Sequence, residues 1–93
     1  MKVVINRCYG GFGLSKKAYE FLGIEWDTYG FDYNGYEKRA NPKLIECVEK
    51  LGSKVASGEM ADLKIVEIPD DIEWTIEEYD GVEWVAEEHR EWR

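Results

Sequence analysis

Three glycines, Gly10, Gly11 and Gly13, separate an apolar run, Val3-Val4-Ile5, from Ser15 and the paired cations Lys16 and Lys17. A strand, a glycine turn and a helix start, in that order, make an arrangement that holds anions. Glycine lets backbone N–H groups approach a ligand, and the first helical turn offers unpaired donors with partial positive charge. Two lysines there oppose the helix dipole, each at a cost of about 0.3–1 kcal/mol, and a bound phosphate would reverse that sign. Residue 18 is Ala rather than Glu or Gln, so no capping box occupies the donors. The expected ligand set is therefore Tyr9, Gly10, Gly11, Phe12, Gly13, Ser15, Lys16, Lys17 and Arg39. Its ligand would be a nucleotide-like molecule, the cations facing phosphate while Tyr9 or a later aromatic stretch stacks on a base. The pattern is neither GxxxxGK[ST] nor GxGxxG, since residue 16 is Lys where the second needs Gly. A tight turn that packs Phe12 and Leu14, with two solvated lysines, is the competing reading.

Catalytic chemistry finds less support. Cys8 follows the strand ahead of a helix start, where it reads either as a thiol nucleophile or as a buried strand-end cysteine. A phosphatase-type loop needs Arg after five intervening residues, and that place holds Leu14. Cys47 falls on the apolar face of a helix and reads as core. His89, between Glu88 and Arg90, is the only histidine and has no second imidazole for a metal pair. The residues point to a binder rather than an enzyme, with no metal and no cofactor.

The elements that must position these groups follow from local signals. Val3-Val4-Ile5 is the pattern of a strand buried on both faces. Ser15 caps a short helix carrying Ala18, Tyr19, Phe21 and Leu22, and Gly23 ends it. Residues 24–40 are aromatic and glycine-rich without a helical period, and Trp26, Tyr29, Phe31, Tyr33 and Tyr36 would supply a stacking wall. Asn34-Gly35 there is a hairpin signal, and an ordered surface loop fits nearly as well. Asn41-Pro42 opens a second helix with Leu44, Cys47, Val48 and Leu51 on one face, which Gly52 ends or kinks. Leu63–Ile68 is a strand stopped by Pro69. Ile72, Trp74 and Ile76 alternate with polar residues, and Asp80-Gly81 turns the chain into Val82, Trp84 and Ala86. The carboxylates at 73, 77, 78, 83, 87 and 88 read as solvent faces. The expectation is one α+β domain over residues 1–93, a small mixed four-stranded sheet with two helices. The order is β-α-α-β-β-β, with the first strand central and a C-terminal β-hairpin.

Charge divides the chain. Residues 1–58 carry nine Lys/Arg and seven Asp/Glu; residues 59–93 carry three and thirteen, and the total is −8. That balance argues against direct nucleic-acid binding. It leaves the first part able to host an anion and the second suited to a basic partner. The apolar start is too short for a signal peptide or a membrane span, so a cytoplasmic chain with reduced thiols is expected. At 93 residues it sits near the lower size for an independent core, and homo-oligomerisation would add to it.

Four blocks, "VVINRCYGGFGLS" (3–15), "RANPKLIECVEKLG" (39–52), "LKIVEIPDD" (63–71) and "EEYDGVEWVAEEHREW" (77–92), resemble a family of small tailed-phage and prophage proteins with no settled activity. The resemblance implies a phage-encoded protein acting in the bacterial host cytoplasm and transfers no site residue. Two functions follow as expectations. One is a sponge for a phosphate-bearing host signal, built on the glycine loop and serving counter-defence. The other is an acidic inhibitor whose C-terminal hairpin and exposed Trp residues occlude a basic host protein.

Overall fold

The structure is a computed structural model that describes residues 1–26, 38–87 and the backbone of 91–92. Its elements are β1 (Lys2–Asn6), α1 (Lys16–Leu22), α2 (Pro42–Leu51), α3 (Ser53–Ala56), β2 (Leu63–Glu67), β3 (Thr75–Tyr79), β4 (Val82–Ala86) and β5 (Glu91–Trp92). This is the expected α+β class in the expected order, with α3 a single extra turn and β5 a short edge. The helix boundaries sit where the capping residues put them. Ser15 accepts from the Ala18 amide, and Asn41 accepts from the Lys43 amide ahead of Pro42. Gly23 ends α1 in the left-handed region at φ 71°.

β1 divides the core. Val3, Val4 and Ile5 are all fully buried. Val4 packs with Phe12, Leu14, Tyr19, Leu44 and Leu63 on the helical side. Val3 and Ile5 pack on the other side with Val66, Ile68, Ile76 and Val85. Successive side chains of a strand point to opposite faces, so one strand serves both clusters.

The single mixed sheet is not formed. β1 pairs antiparallel with β2, from Lys2↔Glu67 to Asn6↔Leu63, and β3, β4 and β5 make a separate antiparallel sheet. The two meet where β1 faces β4, but no strand ladder joins them. The Val4 amide donates to the Arg39 carbonyl at 2.9 Å, and the Asn6 amide donates to Glu83 Oε1 at 2.7 Å. Those bonds occupy the edge of β1 that a fourth strand would have used. β1 is central in space without being central in a continuous sheet.

The β3–β4 hairpin turns as its sequence predicts. Asp80 and Gly81 take positive φ values of 51° and 92°, as a two-residue hairpin turn of the primed type requires. Register then decides the faces. Ile76 lies opposite Val85, and Glu78 opposite Glu83, so these four share the inner face. Thr75, Glu77, Tyr79, Val82, Trp84 and Ala86 share the outer one.

Candidate functional site

The glycine loop is packed rather than open. The Ser15 amide donates to the Ala56 carbonyl at 2.9 Å, and the Gly58 amide to the Gly13 carbonyl at 2.8 Å, tying the loop to the end of α3. Ser15 Oγ, besides capping α1, donates to the Val55 carbonyl at 2.6 Å. Phe12 and Leu14 are buried, as the competing reading of the loop has it. A Cβ on Gly10 would overlap the carbonyl oxygen and Cβ of Met60. One on Gly81 would overlap the Gly11 amide and, at 2.6 Å, the Tyr9 carbonyl oxygen. The loop is thus clamped between the Met60 turn and the hairpin turn. Glycine at 10 and 81 serves close approach of backbone to backbone.

Arg39 departs furthest from its expected role. Its guanidinium is completely buried, 3.6 Å from the centre of the Phe12 ring, and makes two hydrogen bonds to Glu83, at 2.5 and 2.8 Å. It donates to the Val4 carbonyl as well. Glu83, read from sequence as solvent-facing, is only 4% exposed. Both corrections have one cause. The hairpin register turns position 83 inward, and a carboxylate there needs a cation while the edge of β1 needs a donor and an acceptor. Neither charge is left to neutralise a ligand.

Asn6 completes the junction and was not singled out from sequence. Fully buried, it donates from Nδ2 to the carbonyls of Cys8 and Gly81, at 2.6 and 2.7 Å. Its Oδ1 accepts from the amides of Cys8 and Asp62. One side chain therefore joins the end of β1, the loop, the hairpin turn and the approach to β2. The available signal was an amide residue closing an apolar run.

Of the expected ligand residues, Tyr9, Gly10, Lys16 and Lys17 reach the surface, Gly11 and Ser15 do so partly, and Phe12, Gly13 and Arg39 are buried. Tyr9 and Gly10 belong to the clamped loop, while Lys16 and Lys17 belong to the first turn of α1 and have no carboxylate beside them in that turn. Cys8 is partly exposed; burial pushes the Cys47 thiol up to about 11. Trp26 packs edge-on against Tyr19, the ring centroids 5.1 Å apart. The rest of the aromatic stretch, from residue 27 to 37 with Asn34-Gly35, and His89 with Glu88, lie outside the described residues.

A second candidate is a groove of about 440 Å³ on the hairpin, lined by Glu73, Trp74, Thr75, Glu77, Ala86 and Glu87. Trp74 also packs against the inner core cluster, so its ring is held. With Glu73, Glu77 and Glu87 in its lining, the groove favours a cation by charge. No three His, Cys, Asp or Glu side chains among the described residues are placed to hold a metal ion. No described helix is long and apolar enough to cross a membrane.

In comparisons with protein-family models, curated proteins and solved structures, nothing matches this chain.

Proposed function

We propose that this chain is a non-enzymatic interaction protein whose acidic C-terminal hairpin covers a basic surface of another protein. The observation that carries this reading is the hairpin groove, whose lining holds Glu73, Glu77 and Glu87 together with Trp74. Its charge suits Lys or Arg side chains from a partner. With the resemblance of its sequence blocks to small phage proteins, that partner belongs to a bacterial host, and covering it would serve counter-defence. Charge complementarity of this kind sets association rate and specificity, and it weakens as salt rises. The test is capture of host proteins by the immobilised chain at stepped ionic strength. A partner held at low salt, released as salt rises, and lost by Glu73→Lys/Glu77→Lys is the expected result. A partner retained by that variant at the same ionic strength overturns the reading.

The phosphate-binding sponge ranks second, favoured by exposed Lys16 and Lys17 with no acidic residue in the same turn. A thermal-shift screen with linear and cyclic nucleotides and inorganic phosphate separates the two. A ligand at a hundred times its Kd would add about 2.7 kcal/mol. The interaction reading expects a flat screen; a hit abolished by Lys16→Glu/Lys17→Glu reverses the ranking.

A further inference from the structure

Three described apolar side chains stand far more exposed than the rest: Tyr9 at 72%, Tyr79 at 71% and Met60 at 65%. They are far apart in sequence, yet their segments converge at one place. The backbone of residues 9–11 is pressed between Met60 and Gly81, and Tyr79 opens the turn that Gly81 closes. Asn6 bonds the same three segments together through Cys8, Asp62 and Gly81. Burying Asn6 and using glycine at 10 and 81 fixes this corner, although the three large apolar groups there remain in water. The corner is also acidic. Glu59, Asp62, Glu78 and Asp80 belong to the segments that meet there, Glu78 accepting from the Gly81 amide and Asp62 from the Ser53 hydroxyl; of the nearby cations, Arg7 donates to the Glu83 carbonyl and Lys54 lines the surface beside Glu59 and Asp62.

We propose that Tyr9, Met60 and Tyr79 form the anchor of a protein-docking surface, and that its partner presents an apolar centre flanked by Lys or Arg. The inference rests on the interaction reading above but concerns a different part of the surface, the corner rather than the hairpin groove. Two tyrosines and a methionine are side chains enriched at the centres of interfaces, where a few residues carry most of the binding energy. The acidic flanks supply the complementary rim, which excludes an acidic partner and disfavours a second copy of this net-negative chain. On this account the glycine loop has a role after all. It displays Tyr9 beside Met60 and Tyr79 on a rigid base, which lowers the ordering cost of docking.

The test uses the full chain and two sets of short synthetic peptides with an aliphatic or aromatic centre, one set flanked by Lys and Arg, the other by Asp and Glu. Binding is read by fluorescence polarisation, with sedimentation run alongside. Members of the basic set should bind, and Tyr9→Ser and Met60→Ser should each weaken them about tenfold, a loss typical of an anchor residue. Both side chains are exposed, so the melting temperature should stay as in the parent, and the pair keeps the test sound if Tyr79→Ser disturbs the hairpin. Weakening by Glu73→Lys/Glu77→Lys with no effect of the corner variants overturns the anchor and leaves the groove reading standing. Loss at the corner with no effect of that reversal supports the anchor and counts against the groove. Equal binding of the two peptide sets, binding of neither, or a dimer that Tyr9→Ser dissociates overturns the proposal.

Discussion

Arg39 and Glu83 are held in place by what they do for the backbone as much as for each other. A buried ion pair can often be replaced by apolar residues without loss, because desolvation offsets attraction. Here the pair also serves groups that have no other strand to pair with, Arg39 donating to the Val4 carbonyl and Glu83 accepting from the Asn6 amide. Arg39→Met or Glu83→Leu alone should cost about 3–5 kcal/mol in urea unfolding, by stranding one charge. The double variant should remain destabilised by about 1–3 kcal/mol, since two buried backbone groups would then be unsatisfied. Full recovery in the double variant would show that those groups find other partners. Cys47 offers a simpler test. Its folded thiol titrates near 11 against an ordinary 9.0, so the unfolded chain loses that proton first as pH rises. Stability from this group is whole below pH 9 and declines toward 11, by on the order of 2 kcal/mol. Cys47→Ala should flatten that part of the alkaline profile. Native protein should react with a thiol reagent at Cys8 alone, and at both cysteines in denaturant.

At the scale of elements, the glycines separate conformational need from space. Gly81 has a positive φ and no room for a methyl group; Gly10 has no room; Gly11 has positive φ but open space around it. Gly81→Ala should therefore be the most destabilising, by about 2–4 kcal/mol, with Gly11→Ala near 1 kcal/mol and Gly10→Ala between them. Thermal melts of the three rank them directly. The elements also show what was legible in sequence. Ser15, Gly23, Asn41-Pro42 and Asp80-Gly81 act on their own neighbours, so their effect could be read locally, and each boundary falls where they stand. The β1–β2 pairing and the groups that receive the Glu83 carboxylate lie more than forty positions away. In β4, Val82, Trp84 and Ala86 alternate as a buried face should, but the register leaves Val82 and Trp84 half-buried on the outer face and sends Glu83 in with Val85. The glycine loop was misleading for a related reason. Close approach to a phosphate and close approach to another backbone call for the same residue.

For the whole molecule, the uneven charge means that the fold holds many carboxylates near one another. The exposed acids of residues 59–87 repel at low ionic strength, and their screening length falls from about 10 Å at 0.1 M salt to about 3 Å at 1 M. The melting temperature should rise with sodium chloride at neutral pH, and a fall would mean that exposed pairs such as Lys2–Glu49 outweigh repulsion.

The Asn6–Glu83 bond spans 77 positions of sequence. It follows that β1 is completed only when β4 has left the ribosome. At about 5–20 residues per second, the translation interval is roughly 4–15 s. For that time Val3, Val4 and Ile5 are an apolar segment whose edges are only partly paired. The nascent chain is then most exposed to mispairing, and a pause in synthesis before residue 83 should raise the yield of insoluble protein.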